Sequence, residues 1–98
     1  MDIIFKDDKL FIKDNQGKEH EVIKVYESFT GWLWLATEYN RKDKTYFGFV
    51  IGFEPEWGEF SKEELESMGD QVWEVTKPNW SNVTSYNARM KKLLGEVI

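Results

Sequence analysis

Residues 32–39 and 46–53 form two alternating patterns separated by a short polar stretch. Successive side chains of a strand point to opposite faces. One predicted face of the first segment holds Trp32, Trp34, Ala36 and Glu38, and the other holds Leu33, Leu35, Thr37 and Tyr39. Both faces begin with apolar residues, so this strand is predicted to be central in a sheet and covered on both sides. The polar residues 40–44 predict an exposed hairpin loop that leads into the second strand.

Gly48 and Gly52 fall on one face of the second predicted strand. A glycine weakens a strand unless another group must approach the backbone closely at that point. We therefore predict that a large ring, from Trp32 or Trp34, covers Gly48 or Gly52.

Two helices are predicted after these strands. Ser61 and Glu64 have the spacing of a capping box, which predicts a short helix over residues 62–68 that ends at Gly69. Apolar residues recur every three or four positions near the C-terminus and predict an amphipathic helix over about residues 82–96. The apolar stripe of this helix consists of Val83, Tyr86, Met90, Leu93, Leu94 and Val97.

The remaining patterns complete the predicted fold. Shorter apolar stretches indicate strands near residues 3–5, 10–12, 19–26 and 71–76, whereas residues 56–59 are interpreted as a loop. This order of elements predicts an α+β fold, an antiparallel meander sheet with both helices packed on one face. At 98 residues the chain is expected to form a single domain, residues 1–98.

The composition is typical of a soluble folded domain. Hydrophobic residues make up 41% of the chain and aromatic residues 16%, which is enough to build a core. The N-terminal residues lack the basic start and apolar run of a signal peptide, and no apolar run approaches the roughly 18 residues of a membrane helix. Cysteine is absent, which fits an intracellular protein. We therefore expect a cytoplasmic protein.

The net charge of −5 is concentrated in one segment. Residues 54–70 contain seven acidic side chains and a single base, Lys62, which gives this segment a net charge of −6. Binding to nucleic acid depends on an excess of lysine and arginine that neutralises phosphates. The charge distribution therefore disfavours general nucleic-acid binding.

The acidic segment is the first candidate for a functional surface. A row of carboxylates beside an exposed tryptophan would suit a basic surface on another protein, because charge steers the encounter and an aromatic anchor contributes binding energy. The residues predicted to bind such a protein partner are Glu54, Glu56, Trp57, Glu59, Glu63 and Glu66.

Other arrangements of the same residues stay open. Glu54 and Glu56, with Glu59 nearby, would also suit a Mg²⁺ site or an acid–base pair. Trp34 and Glu38, on one predicted strand face, would line a small pocket.

A stacking surface for single-stranded nucleic acid is a further alternative. Its candidates are Trp34, Tyr46, Trp57 and Trp73. The chain has no recognisable catalytic triad, metal-ligand set or phosphate-binding loop, so no cofactor or metal is predicted. The single histidine, His20, is expected to be a surface residue.

Three motifs carry a resemblance to a known family. They are Trp-x-Trp-x-Ala-Thr-Glu at 32–38, Phe-Gly-x-Val-x-Gly-x-Glu at 47–54 and Glu-x-Gly-x-Phe-Ser-x-x-Glu-Leu-Glu at 56–66. In this middle third the chain resembles the domain-of-unknown-function family numbered twenty-nine fifty-eight, small proteins often encoded on bacterial plasmids and phages. The resemblance implies no particular reaction. It implies an accessory role in a mobile element.

From these observations we expect a non-catalytic accessory protein of a mobile element that binds a host protein through an acidic and aromatic surface. The first alternative is a small carboxylate-based enzyme or ligand-binding domain. The second is a domain that binds single-stranded nucleic acid through its aromatic residues. The oligomeric state is left open by the sequence.

Overall fold

The computed structural model describes residues 1–96, which form two antiparallel sheets and two short α-helices. The smaller sheet has the strand order β1–β2–β3, and the larger has the order β7–β6–β5–β4–β8. The strands are β1 (Asp2–Lys6), β2 (Lys9–Lys13), β3 (Glu19–Glu21), β4 (Lys24–Ser28), β5 (Leu33–Asn40), β6 (Thr45–Ile51), β7 (Pro55–Ser61) and β8 (Val72–Glu74). The helices are α1 (Lys62–Glu66) and α2 (Tyr86–Leu93), with 3-10 turns at Gly69–Gln71 and Lys77–Ser85. The predicted α+β class and the antiparallel pairing are confirmed.

Both faces of the larger sheet are covered, as the alternation in β5 predicts. Leu33 and Leu35 point to the inner face, where the smaller sheet and the C-terminal segment complete the main core. Trp34 and Ala36 point to the other, outer face. We call the buried residues of this second face the outer cluster: Tyr26, Trp34, Ala36, Tyr46, Phe60, Leu65 and Val72.

The two helices lie on opposite faces of the larger sheet, so the prediction that both pack on one face is wrong. Leu65 of α1 is buried in the outer cluster, whereas Met90 of α2 is buried in the main core. The reason is connectivity: α1 follows β7 without a loop and folds back onto the nearest face. The C-terminal segment, which starts beyond β8, packs against β1 and β2 on the other side.

The helices are also shorter than their sequence patterns predict. The Ser61 Oγ accepts a hydrogen bond of 2.9 Å from the Glu64 amide, as the capping box predicts, but α1 ends at Glu66. The segment Lys77–Ser85 is a 3-10 helix, and α-helix begins only at Tyr86. Short polar side chains in this segment compete for backbone groups: the Thr84 hydroxyl donates to the Ser81 carbonyl at 2.9 Å. Val97 of the predicted stripe lies outside the described residues.

A β-bulge changes the second half of β5. Ala36 pairs with Gly48 but Glu38 pairs with Phe47, so Thr37 is an extra residue in β5. Beyond Thr37 each side chain of β5 points to the face opposite to the one that unbroken alternation predicts, because the extra residue shifts the pattern by one position.

The two strand glycines have different causes. A Cβ at Gly52 would lie 2.5 Å from the Trp32 ring, which confirms that a tryptophan covers this glycine. A Cβ at Gly48 would lie 2.0 Å from the Leu35 carbonyl oxygen, so the backbone of β5, and not a ring, occupies that space. A Cβ at Gly58 would meet nothing within 4 Å.

Residues 56–59, interpreted from the sequence as a loop, lie in the edge strand β7. Pro55 is the first residue of this strand. Proline, which has no amide hydrogen, is tolerated at the first residue of a strand and on edge strands. No helix within residues 1–96 is long and apolar enough to cross a membrane.

The contrast between the glycines gives a stability test. We expect Gly48→Ala to lower the free energy of unfolding by about 1–3 kcal/mol, because the methyl group meets a backbone oxygen that cannot move aside. Gly58→Ala should leave it unchanged or raise it by up to about 1 kcal/mol, because alanine restricts the unfolded chain more than glycine does. Urea unfolding followed by tryptophan fluorescence measures both. Equal effects of the two changes would contradict this account of the bulge.

Candidate functional site

The residues predicted to bind a partner do not form one continuous row. Within β7, Glu56 pairs with Val50 and faces outward with the outer cluster, whereas Trp57 and Glu59 pair with Phe49 and Phe47 on the inner face. Strand alternation therefore separates carboxylates that are close in sequence. Of the other members, Glu54 lies between β6 and β7, and Glu63 and Glu66 lie on α1.

Trp57 is half-buried and packs within the inner face. Its ring is stacked on that of Phe47, with the ring centroids 5.9 Å apart and an interplanar angle of 9°. It contacts the Phe49 ring edge-on, with the centroids 5.2 Å apart. His20, expected at the surface, is half-buried and lies 5.0 Å from the Trp57 ring. The His20 Nε2 lies 2.8 Å from an oxygen of Asp14, and this hydrogen bond holds the pKa of that carboxyl below its usual range. Trp57 is therefore mainly a packing residue.

Trp34 and Glu38 do not share a pocket. The bulge at Thr37 places Trp34 on the outer face and Glu38 on the inner face, in the same cross-strand row as Phe47 and Glu59. This row borders an open groove of about 840 Å³ at the hairpin end of the sheet, which also includes Arg41.

The residues of the proposed stacking surface are not gathered either. Trp34 and Tyr46 are buried in the outer cluster. Trp57 and Trp73 lie on β7 and β8, the two opposite edges of the larger sheet. Among residues 1–96, no group of three histidine or acidic side chains is placed to hold a metal ion.

The structure reveals an apolar site that the sequence reasoning missed. A small cavity of about 190 Å³ opens on the outer face beside β4 and β5. Its lining includes the buried Trp34, only 7% exposed, and Met68, which follows α1 and is 48% exposed. We call this site the indole pocket, lined by Ser28, Phe29, Thr30, Trp32, Trp34, Met68, Gln71 and Val72.

Two highly exposed rings belong to this region. Phe29 lines the indole pocket, and Phe53 contacts its Trp32 wall edge-on at 5.1 Å. Both phenylalanines are 83% exposed, far more than a packing residue of the core. The ring centroids of Trp32 and Trp34 are 5.8 Å apart, so three rings are in successive contact from the exposed Phe53 through Trp32 to the buried Trp34.

The turn that carries Phe29 is held by several hydrogen bonds. The Phe29 amide donates to the Gln71 carbonyl at 2.8 Å, and the Trp32 amide donates to the Ser28 hydroxyl at 3.0 Å. Gly31 completes the turn with a φ of +85°, a conformation that favours glycine. The exposed ring is thus carried by a turn whose backbone is hydrogen-bonded to a neighbouring segment.

Arg89 of α2 connects the two turns that present the exposed rings. Its guanidinium donates to the Gly31 carbonyl and, at 3.2 Å, to the Gly52 carbonyl. Gly31 lies two residues from Phe29, and Gly52 precedes Phe53. From the sequence Arg89 is merely a charged residue on the polar side of a helix, and this long-range role is invisible there.

The charge beside the indole pocket is negative. Helix α1 leads directly to Met68 and carries Glu63, Glu64 and Glu66, all exposed. Only Glu66 among these has an ion-pair partner in the described part of the chain, Lys62 at 3.6 Å.

Within the outer cluster, burial raises the pKa of the Tyr26 phenol.

Comparison of the chain with family models, with curated proteins and with solved structures gave no match. The resemblance of residues 32–66 to an uncharacterised family is therefore still a prediction.

One sequence signal pointed toward the indole pocket. Phe29 stands between turn residues in Ser28–Gly31, and Phe53 follows Gly52, so both rings lie at positions where a core residue is unusual. The sequence does not show that these rings are exposed, because their exposure depends on the three-dimensional course of the two turns.

We expect Arg89→Lys to lower the free energy of unfolding by about 1–3 kcal/mol, because a single ammonium group cannot reach both carbonyls as the planar guanidinium does. Urea unfolding measures the change. Lys92→Ala, at an exposed position of the same helix, is the matched control and should stay within about 0.5 kcal/mol of the parent chain. Equal stability of the Arg89→Lys variant and the parent would contradict the assigned role of Arg89.

Proposed function

We propose that this domain acts by binding another protein, which inserts an apolar side chain into the indole pocket. The observation that carries the proposal is the exposure of Phe29 and Phe53, at 83% each, beside a cavity that is lined by two tryptophans. Aromatic residues around a small pocket are typical of binding hot spots. Exposed apolar groups of this kind mark interaction sites on soluble proteins.

The size of the pocket favours a side chain over a small-molecule ligand. Ligand pockets usually measure roughly 300–1,000 Å³. The indole pocket, at about 190 Å³, is smaller and suits a single large apolar side chain.

The charge of the surrounding segment favours a basic partner. Residues 54–70 carry seven acids and one base, and this segment supplies both Met68 and α1. Lysine and arginine residues around the inserted side chain would be attracted to these carboxylates and would speed the encounter. The acidic region predicted from the sequence thus supports the proposal, with Trp32, Phe29 and Phe53 in place of Trp57 as the aromatic component.

An accessory role in a plasmid or phage, acting on a host protein in the cytoplasm, is the biological setting that we propose. It derives from the resemblance of residues 32–66.

The proposal is tested with the double change Phe29→Ser and Phe53→Ser. Both rings are exposed, so the folded state should persist, with the free energy of unfolding within about 1 kcal/mol of the parent. Immobilised parent and variant chains are compared for the proteins they retain from a bacterial lysate, followed by quantitative mass spectrometry. We expect at least one protein to be retained about tenfold less by the double variant.

Ile23→Ser is the matched control, because it removes an apolar side chain that is 45% exposed and lies away from the indole pocket. This control should retain the protein as the parent does. The purified protein is then titrated against all three chains. Equal binding to the parent and to the double variant, or equal loss with Ile23→Ser, would contradict the proposal.

A further inference from the structure

Strand β7 has one free edge. It pairs with β6 along its whole length, from Pro55 to Ser61. Within residues 1–96 no strand pairs with its other edge, since β7 is the last strand of the larger sheet. A free edge of seven residues is long enough to take another strand.

The backbone groups that face this free edge follow from the pairing of the sheet. The Ile23 amide donates to the Ala36 carbonyl, so Ala36 faces β4 and, by alternation, Leu35 faces β6. Leu35 is opposite Phe49, which therefore faces β5, and its neighbours Gly48 and Val50 face β7. They are opposite Gly58 and Glu56.

It follows that the amide and carbonyl groups of Trp57 and Glu59 point away from β6. No hydrogen bond to either residue's backbone is present outside the strand ladder in the described part of the chain. These two residues therefore offer a donor and an acceptor each to an approaching strand.

The side chains of β7 define the charge of that strand. Glu56 on the outer face and Glu59 on the inner face are both exposed, and residues 54–61 contain no basic residue. Neither glutamate has an ion-pair partner among residues 1–96. Between them, Gly58 leaves open space on the outer face, because a Cβ there would meet nothing within 4 Å.

We propose that β7 binds an extended basic segment of another protein as an additional antiparallel strand. The register gives the sequence pattern of that segment. A basic residue lies opposite Glu59, any residue lies opposite Gly58, an apolar residue lies opposite Trp57, and a second basic residue lies opposite Glu56. The recognised pattern is therefore basic, any, apolar, basic, with the two charges on opposite faces of the strand.

A second copy of this chain is a poor occupant of the same edge. Pairing β7 with itself would bring together two sets of Glu54, Glu56 and Glu59 without a compensating base. Acidic side chains on an edge strand oppose such self-association. The charge selects a basic strand instead.

This surface is distinct from the indole pocket, since none of the pocket-lining residues belongs to β7. The Phe29→Ser and Phe53→Ser changes should therefore leave peptide binding at β7 intact. Failure of either proposal can thus be recognised separately.

The probe is a fluorescein-labelled peptide with the core Lys-Thr-Val-Lys, flanked by threonine and valine, and binding is measured by fluorescence anisotropy. We expect saturable binding to the parent chain and a loss of at least about tenfold in affinity with Glu56→Lys and Glu59→Lys together. The matched control is Glu63→Lys with Glu66→Lys, which makes the same change in net charge on α1 and should alter the affinity by less than about threefold. Equal loss in both variants would overturn the proposal.

A second measurement separates strand pairing from attraction by charge alone. Methylation of the peptide amide opposite Trp57 or Glu59 removes a donor that faces β7 and should abolish binding. Methylation opposite Gly58 places the methyl group on the far edge and should be tolerated. Equal binding by the two methylated peptides would overturn the proposal, as would a dimer of the parent chain that the peptide does not dissociate, detected by light scattering.

Discussion

The need to bury both faces of the β5–β6 hairpin determines how the rest of this chain is used. Leu33 and Leu35 on one side and Trp34 and Ala36 on the other all require cover. The smaller sheet and the C-terminal segment provide a broad layer for the inner face. The outer face is covered mainly by α1. This helix of five residues is only about 7 Å long, whereas β5, with eight residues, is roughly 26 Å long. The indole pocket lies on this incompletely covered face.

The sequence predicted the parts of the fold that depend on local pattern. The alternation in β5 and β6, the Ser61 cap of α1 and the cover of one strand glycine by a tryptophan all follow from residues close together in the chain or on neighbouring strands. The bulge at Thr37 was not predictable in this way, because one extra residue leaves the alternating pattern of β5 almost unchanged while it reverses the faces beyond it. The prediction that both helices pack on one face was wrong because the side on which a helix packs depends on chain connectivity, which the apolar pattern of the helix does not show.

The candidate site was predicted in its charge but not in its aromatic residues. Net charge is a sum over the sequence, so the acidity of residues 54–70 could be read without a structure. Whether an aromatic ring is exposed depends on contacts with distant strands. Trp57 packs against Phe47, Phe49 and His20, whereas Phe29 and Phe53 are each 83% exposed. The edge position of β7 likewise depends on the strand order of the whole sheet.

The contact between Arg89 and the turns at Gly31 and Gly52 has a thermodynamic consequence. One side chain of α2 bonds to both turns that present Phe29 and Phe53, so the position of the C-terminal helix and the shape of the pocket rim are physically connected. A partner that prefers the rim in this shape would stabilise the packed position of α2, and a change that destabilises that position would weaken binding of the partner by the same coupling free energy. Through Arg89, binding at the proposed site would therefore be thermodynamically coupled to the packing of α2 on the opposite face of the sheet.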